Sequence, residues 1–290
     1  MPTHNPPPTT PTHVRVYGGD HSPWVQSILL GLHEKGLPHT VVTVPPLALF
    51  LDSGILMPAA KFDDEPWLLD SAQILARLGF SPVEERDRSA LRRAFGSGAL
   101  ERTASAWDFW HRWSYLRDGN PSLARRLWNH TWRAFAVFYF FTVITLARRS
   151  NSERTSEQLG ADYSYWEARL SAGTDFLSGD APETVDLQLF GQIQMFASIP
   201  GRSLSVLCED AELPRLRGWI ERMQSRFSGY GHLYSGPYFE PRLPDPEPCP
   251  VAERPFYWLG CTLMWLALPL TLGATFFLAD RIGKKGLRGV

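Results

Sequence analysis

Cysteine is scarce in this chain. Only Cys208, Cys249 and Cys261 occur in 290 residues, and no two are spaced as a CxxC pair. That pattern argues against a disulfide framework and a thiolate metal site, and suits a reducing compartment. Excess charge is also lacking: 29 basic residues offset 30 acidic ones. With no basic stripe and no interleaved aromatics, nucleic acid is not an expected partner. No histidine or carboxylate set has metal-ligand spacing, so no metal is expected. The first twelve residues, MPTHNPPPTTPT, lack the basic and apolar regions of a signal peptide. Pro and Thr tracts of this kind cannot bury apolar surface, and 1–12 reads as a disordered tail.

A long apolar run is present, at 256–279, and no charged side chain interrupts it. As a helix these 24 residues would extend roughly 36 Å, enough for a hydrocarbon core of about 30 Å. Tyr257 and Trp258 stand at its upstream edge, where interfacial aromatics are expected. Arg281, Lys284, Lys285 and Arg288 follow it in a basic tail, 280–290. Pro269 and Gly273 are tolerated in such helices. The run predicts a C-terminal transmembrane helix, a single-pass anchor in a lipid bilayer. Charge bias read literally would put the basic tail in the cytosol and the large domain outside. Long domains obey that rule poorly, and without an export signal the globular part is expected to face the cytosol.

Upstream of the run the pattern is globular. Val14 and Val16 alternate in a first strand. Ser22 and Pro23 then open a helix with Val25, Ile28, Leu29 and Leu32 on one face, which Gly36 ends. Strands follow at 40–44, 59–62 and 67–69, and Asp70-Ser71 caps a helix to Leu78. From residue 85 the pattern is helical, near 85–117, 122–149, 153–178, 183–199 and 212–228. The apolar stretch 134–147 is short for a span and reads as a core helix. Residues 236–255 are a Pro-rich linker.

Three motifs resemble the cytosolic glutathione transferase superfamily: VYGGDHSPWVQSILLGLHEKGLPH at 16–39, MPAAKFDDEPWLLDSAQILARLG at 57–79, and FLSGDAPETVDLQLFGQIQMF at 176–196. The resemblance covers roughly residues 13 to 235. It implies an α/β thioredoxin-like domain, 13–80, followed by an all-α helical domain, 84–235, here with the added C-terminal transmembrane helix. It implies glutathione as co-substrate, a hydrophobic electrophile as second substrate, and a detoxifying transferase activity; a homodimer is left open. Carried over residue by residue, Ser22 matches the catalytic position at the first helix, with Tyr17 as the competing donor. Met57 and Pro58 match the cis-proline segment that pairs with the peptide, Asp70 and Ser71 the pair that holds the γ-glutamyl end, and Asp186 the buried aspartate of the helical domain. Trp107, Trp110 and Trp113 are the aromatic candidates for the apolar substrate pocket.

The chemistry demanded is a thiolate, which a hydroxyl and a helix N-terminus would favour by hydrogen bond and dipole. His21 adjoins Ser22 and would be a base only if it left the solvated turn. Two departures stand out. No Lys, Arg or Gln lies between Lys35 and Lys61 to hold the glycyl carboxylate, where PPLALFLDSGIL is apolar instead, and Glu183 replaces the usual capping Ser or Thr. A non-enzymatic, tail-anchored adaptor on the same fold is therefore the alternative. A thiol reductase is disfavoured because position 22 holds Ser and not Cys.

Overall fold

A short strand–helix–strand unit begins the domain. β1 (Val14–Tyr17), α1 (Pro23–Glu34) and β2 (His39–Val42) follow one another, and β1 and β2 pair in parallel. The computed structural model describes residues 11–19, 22–54, 56–99, 114–115, 117–149, 155–170, 173–198, 202–231 and 247–286. Helix α1 forms where the sequence places Ser22 and Pro23 before a regular apolar face. Val25, Ile28, Leu29 and Leu32 are all fully buried. Gly36 ends it at φ 63°, the left-handed region that a residue without a Cβ enters at little cost.

Next come α2 (Leu47–Ser53), β3 (Ala59–Phe62), β4 (Leu68–Leu69) and α3 (Ser71–Arg77). The sheet order is β2-β1-β3-β4, with β3 antiparallel to both β1 and β4. The Met57–Pro58 bond ahead of β3 is cis. This order, with a cis-proline entering the third strand, is the thioredoxin-like α/β arrangement.

The second part is helical: α4 (Glu85–Ala99), α5 (Leu123–Arg149), α6 (Ser156–Arg169), α7 (Thr184–Ser198), α8 (Arg202–Glu209) and α9 (Pro214–Arg226). Thr155 and Gln158 form a capping box at the start of α6. Helix α9 has no side-chain cap of its own, and the buried Glu167 carboxylate on α6 accepts its leading Arg215 and Leu216 amides instead. One apolar core runs from β1, β3, α1 and α3 through α4, α6, α7, α8 and α9, joining both domains. At its centre α1 crosses α7 closely: a Cβ added to Gly191 would lie 2.5 Å from the Pro23 carbonyl oxygen.

Helix α10 (Arg254–Gly286) is longer than the apolar run at both ends, and a 3-10 turn, Val251–Glu253, precedes it. Its Val251–Gly273 portion, counted with that turn, is long and apolar enough to cross a membrane. It packs in parallel along α5, outside the main core. Ala134, Tyr257 and Cys261 form a separate small cluster there with Tyr115 and Phe138. A Cβ on Gly260 would approach the Thr131 carbonyl oxygen to 2.1 Å, so only glycine allows this spacing.

Several expectations from the sequence need correction. Helix α2 occupies the apolar segment that carried no assigned element. The helix expected over 153–178 ends at Arg169, and α8 is an additional helix. In the stretch 134–147, Ala134, Val137, Tyr139 and Thr142 are buried, while residues 135, 136, 138, 140 and 141 are half-buried. The final part of the expected linker is docked. Cys249 and Glu253 are buried, and Arg117 Nη1 donates to Glu247 Oε2 at 2.5 Å.

Candidate functional site

A cavity of about 390 Å³ opens where the two domains meet. Its lining brings together four of the residues singled out in the sequence: Met57, Pro58, Asp70 and Ser71. Trp24, Leu56, Val83 and Leu91 supply apolar wall, and Arg88, Arg92 and Gln188 supply polar groups from the helical domain. The four expected residues reach the cavity because β3 and α3 begin side by side. Pro58 immediately precedes β3, Ser71 is the first residue of α3, and Ala59 pairs with Leu69.

Asp70 is the N-cap of α3. Its Oδ1 accepts the amides of Ala72 at 2.8 Å and Gln73 at 3.1 Å. It does so at φ 78°, a conformation that costs a non-glycine residue on the order of 1–3 kcal/mol. The two caps engage one carboxylate oxygen and leave the second directed elsewhere. Ser71 is buried, and its hydroxyl accepts from Gln188 Nε2 at 3.3 Å. Gln188 lies on α7 inside the 176–196 motif, but the resemblance assigns it no role.

Arg88 and Arg92 were likewise missed. Both lie on α4 four residues apart, so they share a face. Arg88 is engaged by Glu85 Oε2 and the Val83 carbonyl. Arg92 is exposed and makes no hydrogen bond or ion pair with the described residues. The cavity thus holds a carboxylate on the sheet side and cations on the helical side.

Ser22 is the N-cap residue of α1, but its side chain makes no capping hydrogen bond. It is not among the residues lining the cavity, although Trp24, two residues on, is. Tyr17 is fully buried in a small cluster with Leu49 and Ala59, and burial pushes its phenol well above the ordinary value of 10.0. His21 and the candidate pocket residues Trp107, Trp110 and Trp113 lie outside the described residues.

Asp186 sits at the start of α7, fully buried. Oδ1 accepts from the Leu177 amide at 2.8 Å and from Trp219 Nε1 at 2.9 Å, and Oδ2 from the Glu183 amide at 3.2 Å. Burial drives its carboxyl upward and these donors pull the other way, with burial prevailing. Glu183 turns its carboxylate to the Ser81 amide at 2.7 Å, so the departure from Ser or Thr ties the helical domain to the inter-domain connection.

The fold also assembles a cluster that sequence spacing could not reveal: His130, Cys249 and Glu253, all buried, with ligand atoms within 4.8 Å of one another. His130 Nε2 meets Glu253 Oε2 at 2.7 Å and Cys249 Sγ at 3.7 Å. Arg126 Nε donates to Glu253 Oε1 at 3.1 Å, and Arg133 Nη2 contacts His130 Nδ1 at 3.0 Å. Guanidinium groups only donate, so Nδ1 accepts and the ring proton belongs on Nε2, directed at Glu253. Arg126 and Arg133 set two positive charges beside the cluster. The cluster acts as an ionic clasp joining α5 to the base of α10.

Among solved structures, similarity is found to glutathione transferase F7 from Populus trichocarpa, at 21% identity, covering 73% of this chain and 94% of that one with a TM-score of 0.41. The theta class glutathione S-transferase from Xanthomonas axonopodis pv. citri, with glutathione bound, is 19% identical over 77% of this chain and 98% of that one, with a TM-score of 0.42. A glutathione S-transferase from Pseudomonas fluorescens Pf-5 gives 20%, 73%, 94% and 0.41 for the same quantities. No family model matches the chain, and no curated protein matches it.

Proposed function

We propose that this protein is a membrane-tethered glutathione transferase-like enzyme, which conjugates the thiolate of glutathione to hydrophobic electrophiles. The observation that carries the reading is the convergence of Met57, cis-Pro58, Asp70 and Ser71 on one inter-domain cavity. Met57 and Pro58 offer backbone groups to an extended peptide, while Asp70 and Ser71 take the ammonium and carboxylate of its γ-glutamyl end. Arg92 is the cation available for a ligand carboxylate, replacing the anchor that the segment after Lys35 lacks. The Ser22 hydroxyl, unused as a cap, donates to the bound sulfur beside the positive end of α1, which lowers the thiol's pKa. Trp24, Leu56 and Leu91, with Trp107, Trp110 and Trp113, bound the apolar substrate.

Helix α10 is the tether, with its basic end meeting anionic headgroups and the globular part in the cytosol. The exposure of Leu266 at 75% and Leu270 at 78% supports lipid as the surroundings, since a core helix would cover them.

Aryl halide conjugation by the wild type and by Ser22→Ala tests the enzymatic reading. It expects turnover that falls about 10²-fold in the variant; equal rates, or none in either protein, reject it. An adaptor without activity is the second reading, favoured by one observation: neither Ser22 nor Tyr17 lines the cavity. Calorimetry with glutathione separates the two, because the adaptor reading expects millimolar binding or none.

A further inference from the structure

Helix α2 is short, yet it presents an unusual face. Leu47 is 72% exposed and Leu51 73%, while Leu49 and Ser53 turn inward. Positions 47 and 51 are one turn apart and share a side, and Phe50 is exposed beside them. No charge occurs from 47 through 51. Among the described residues, every exposed large apolar side chain lies on α2, on α5, or on the 3-10 turn and α10. The rest of the described two-domain body carries none. Apolar exposure this segregated marks a contact surface.

The three helices are continuous at one level. Phe50 meets Trp132 of α5 edge-on, with ring centroids 5.5 Å apart. The neighbouring Thr131 hydroxyl donates to the Phe256 carbonyl oxygen at 3.1 Å. Phe256 is the first residue of the apolar run. So α2 stands at the height where α10 changes from the polar clasp of Arg126, His130 and Glu253 to uninterrupted apolar sequence. Trp128 stacks on Trp132 at 6.4 Å, and Trp258 is exposed at the same height. Tryptophans gathered at such a boundary are the expected pattern for a membrane–water interface.

We infer that α2 is a second membrane contact, with Leu47, Phe50 and Leu51 seated in the interfacial layer of the bilayer that α10 crosses; this rests on the tether reading above. It accounts for the missing Lys, Arg or Gln between Lys35 and Lys61, since a segment facing acyl chains cannot also hold a carboxylate anchor. It also fixes the cavity's orientation. The chain leaving α2 passes through Leu56 and Met57, which line the cavity, so one edge of the mouth lies at the lipid surface. Apolar electrophiles dissolved in the membrane are then the substrate class with the shortest route to the site.

The test uses the full chain in phosphatidylcholine vesicles with and without brominated acyl chains. Single cysteines, Leu51→Cys, Leu266→Cys and Glu212→Cys, are introduced into a Cys208→Ser background and labelled with an environment-sensitive fluorophore, since Cys249 and Cys261 are buried. The Leu51 label is expected to lose roughly half its emission to brominated lipid, as a group held at the headgroup–acyl boundary does. Leu266 is expected to be quenched as well, and Glu212 not. A Leu51 label open to aqueous iodide while Leu266 is quenched overturns the inference and spares the tether. A Leu51 label shielded from iodide but untouched by brominated lipid assigns the face to a second copy and also overturns it. Failure of quenching at Leu266 overturns the tether and this inference together. None of these readouts depends on turnover, so failure of the enzymatic reading remains a separate result.

Discussion

The Ser71 hydroxyl, on the first residue of α3, accepts a hydrogen bond from Gln188 Nε2 of α7 at 3.3 Å. One buried contact thereby spans the two domains at the wall of the cavity. Any ligand that bonds Ser71 is read by both domains at once. The Ser71→Ala variant is expected to weaken glutathione binding about tenfold, one hydrogen bond's worth. It would also lower stability by on the order of 1–3 kcal/mol, because the Gln188 amide keeps its burial and loses its acceptor. Calorimetry reads the first effect and denaturant unfolding the second. Unchanged affinity with reduced stability would limit Ser71 to a structural role.

Asp186 satisfies the Leu177 amide, the Glu183 amide and the Trp219 indole from one buried carboxylate. Truncation to Ala strands all three donors. A loss of at least about 3 kcal/mol is expected, since each buried donor left unpaired costs about 1–3 kcal/mol. Chemical unfolding followed by tryptophan fluorescence checks it. A loss below about 1 kcal/mol would mean that water replaces the carboxylate.

Helices α5 and α10 approach closely at Gly260, where an added Cβ would meet the Thr131 carbonyl oxygen. Gly260→Leu should push the helices apart and open the clasp at Glu253, as small residues set the approach of packed helices. Cys249 is the reporter, being buried against His130. Its alkylation by maleimide is expected to accelerate at least about tenfold in the variant, following local opening. An unaltered rate would show that the clasp holds without the glycine contact.

Acid should release Thr12 and His13 from Asp63. Asp63 accepts from the Thr12 hydroxyl at 2.6 Å and from the Thr12 and His13 amides. The Thr12 hydroxyl, and then its amide, hold the carboxyl below its ordinary value of 3.8. A depressed folded-state pKa contributes stability above the unfolded value that is lost as pH falls through the folded one. The His13 amide is therefore expected to exchange slowly at pH 6 and to lose protection only below about pH 4. Protection that is constant down to pH 2, or equal in Asp63→Asn at pH 6, would remove Asp63 as the cause.

The thioredoxin-like half was legible because its signals are local. Ser22-Pro23, Gly36, Asp70-Ser71 and the alternating strand at 14–17 each act over a few residues, through caps, φ preference and pleat. The proline before β3 and Asp186 were placed by the family resemblance instead. Helix α2 was not legible, since seven residues whose exposed face is apolar fit neither amphipathic template. The candidate site was half legible. Its sheet-side residues belong to motifs, whereas Arg88 and Arg92 lie in none, and Gln188, although inside the 176–196 motif, reaches Ser71 only through the packing of α7.

The sequence alone determined that residues 256–279 need an apolar environment, because no charge or cap interrupts them and length is a local property. The cis-proline of the 57–71 segment and the binding role of its acid-serine pair came from the family resemblance, not from any local signal in the chain. Tertiary structure decided what the long helix rests on. His130 and Glu253 stand 123 residues apart and meet at 2.7 Å only after α5 and α10 have aligned. Chain entropy gives such a pair no preference until both helices are built. The contact of Phe50 on α2 with Trp132 has the same origin.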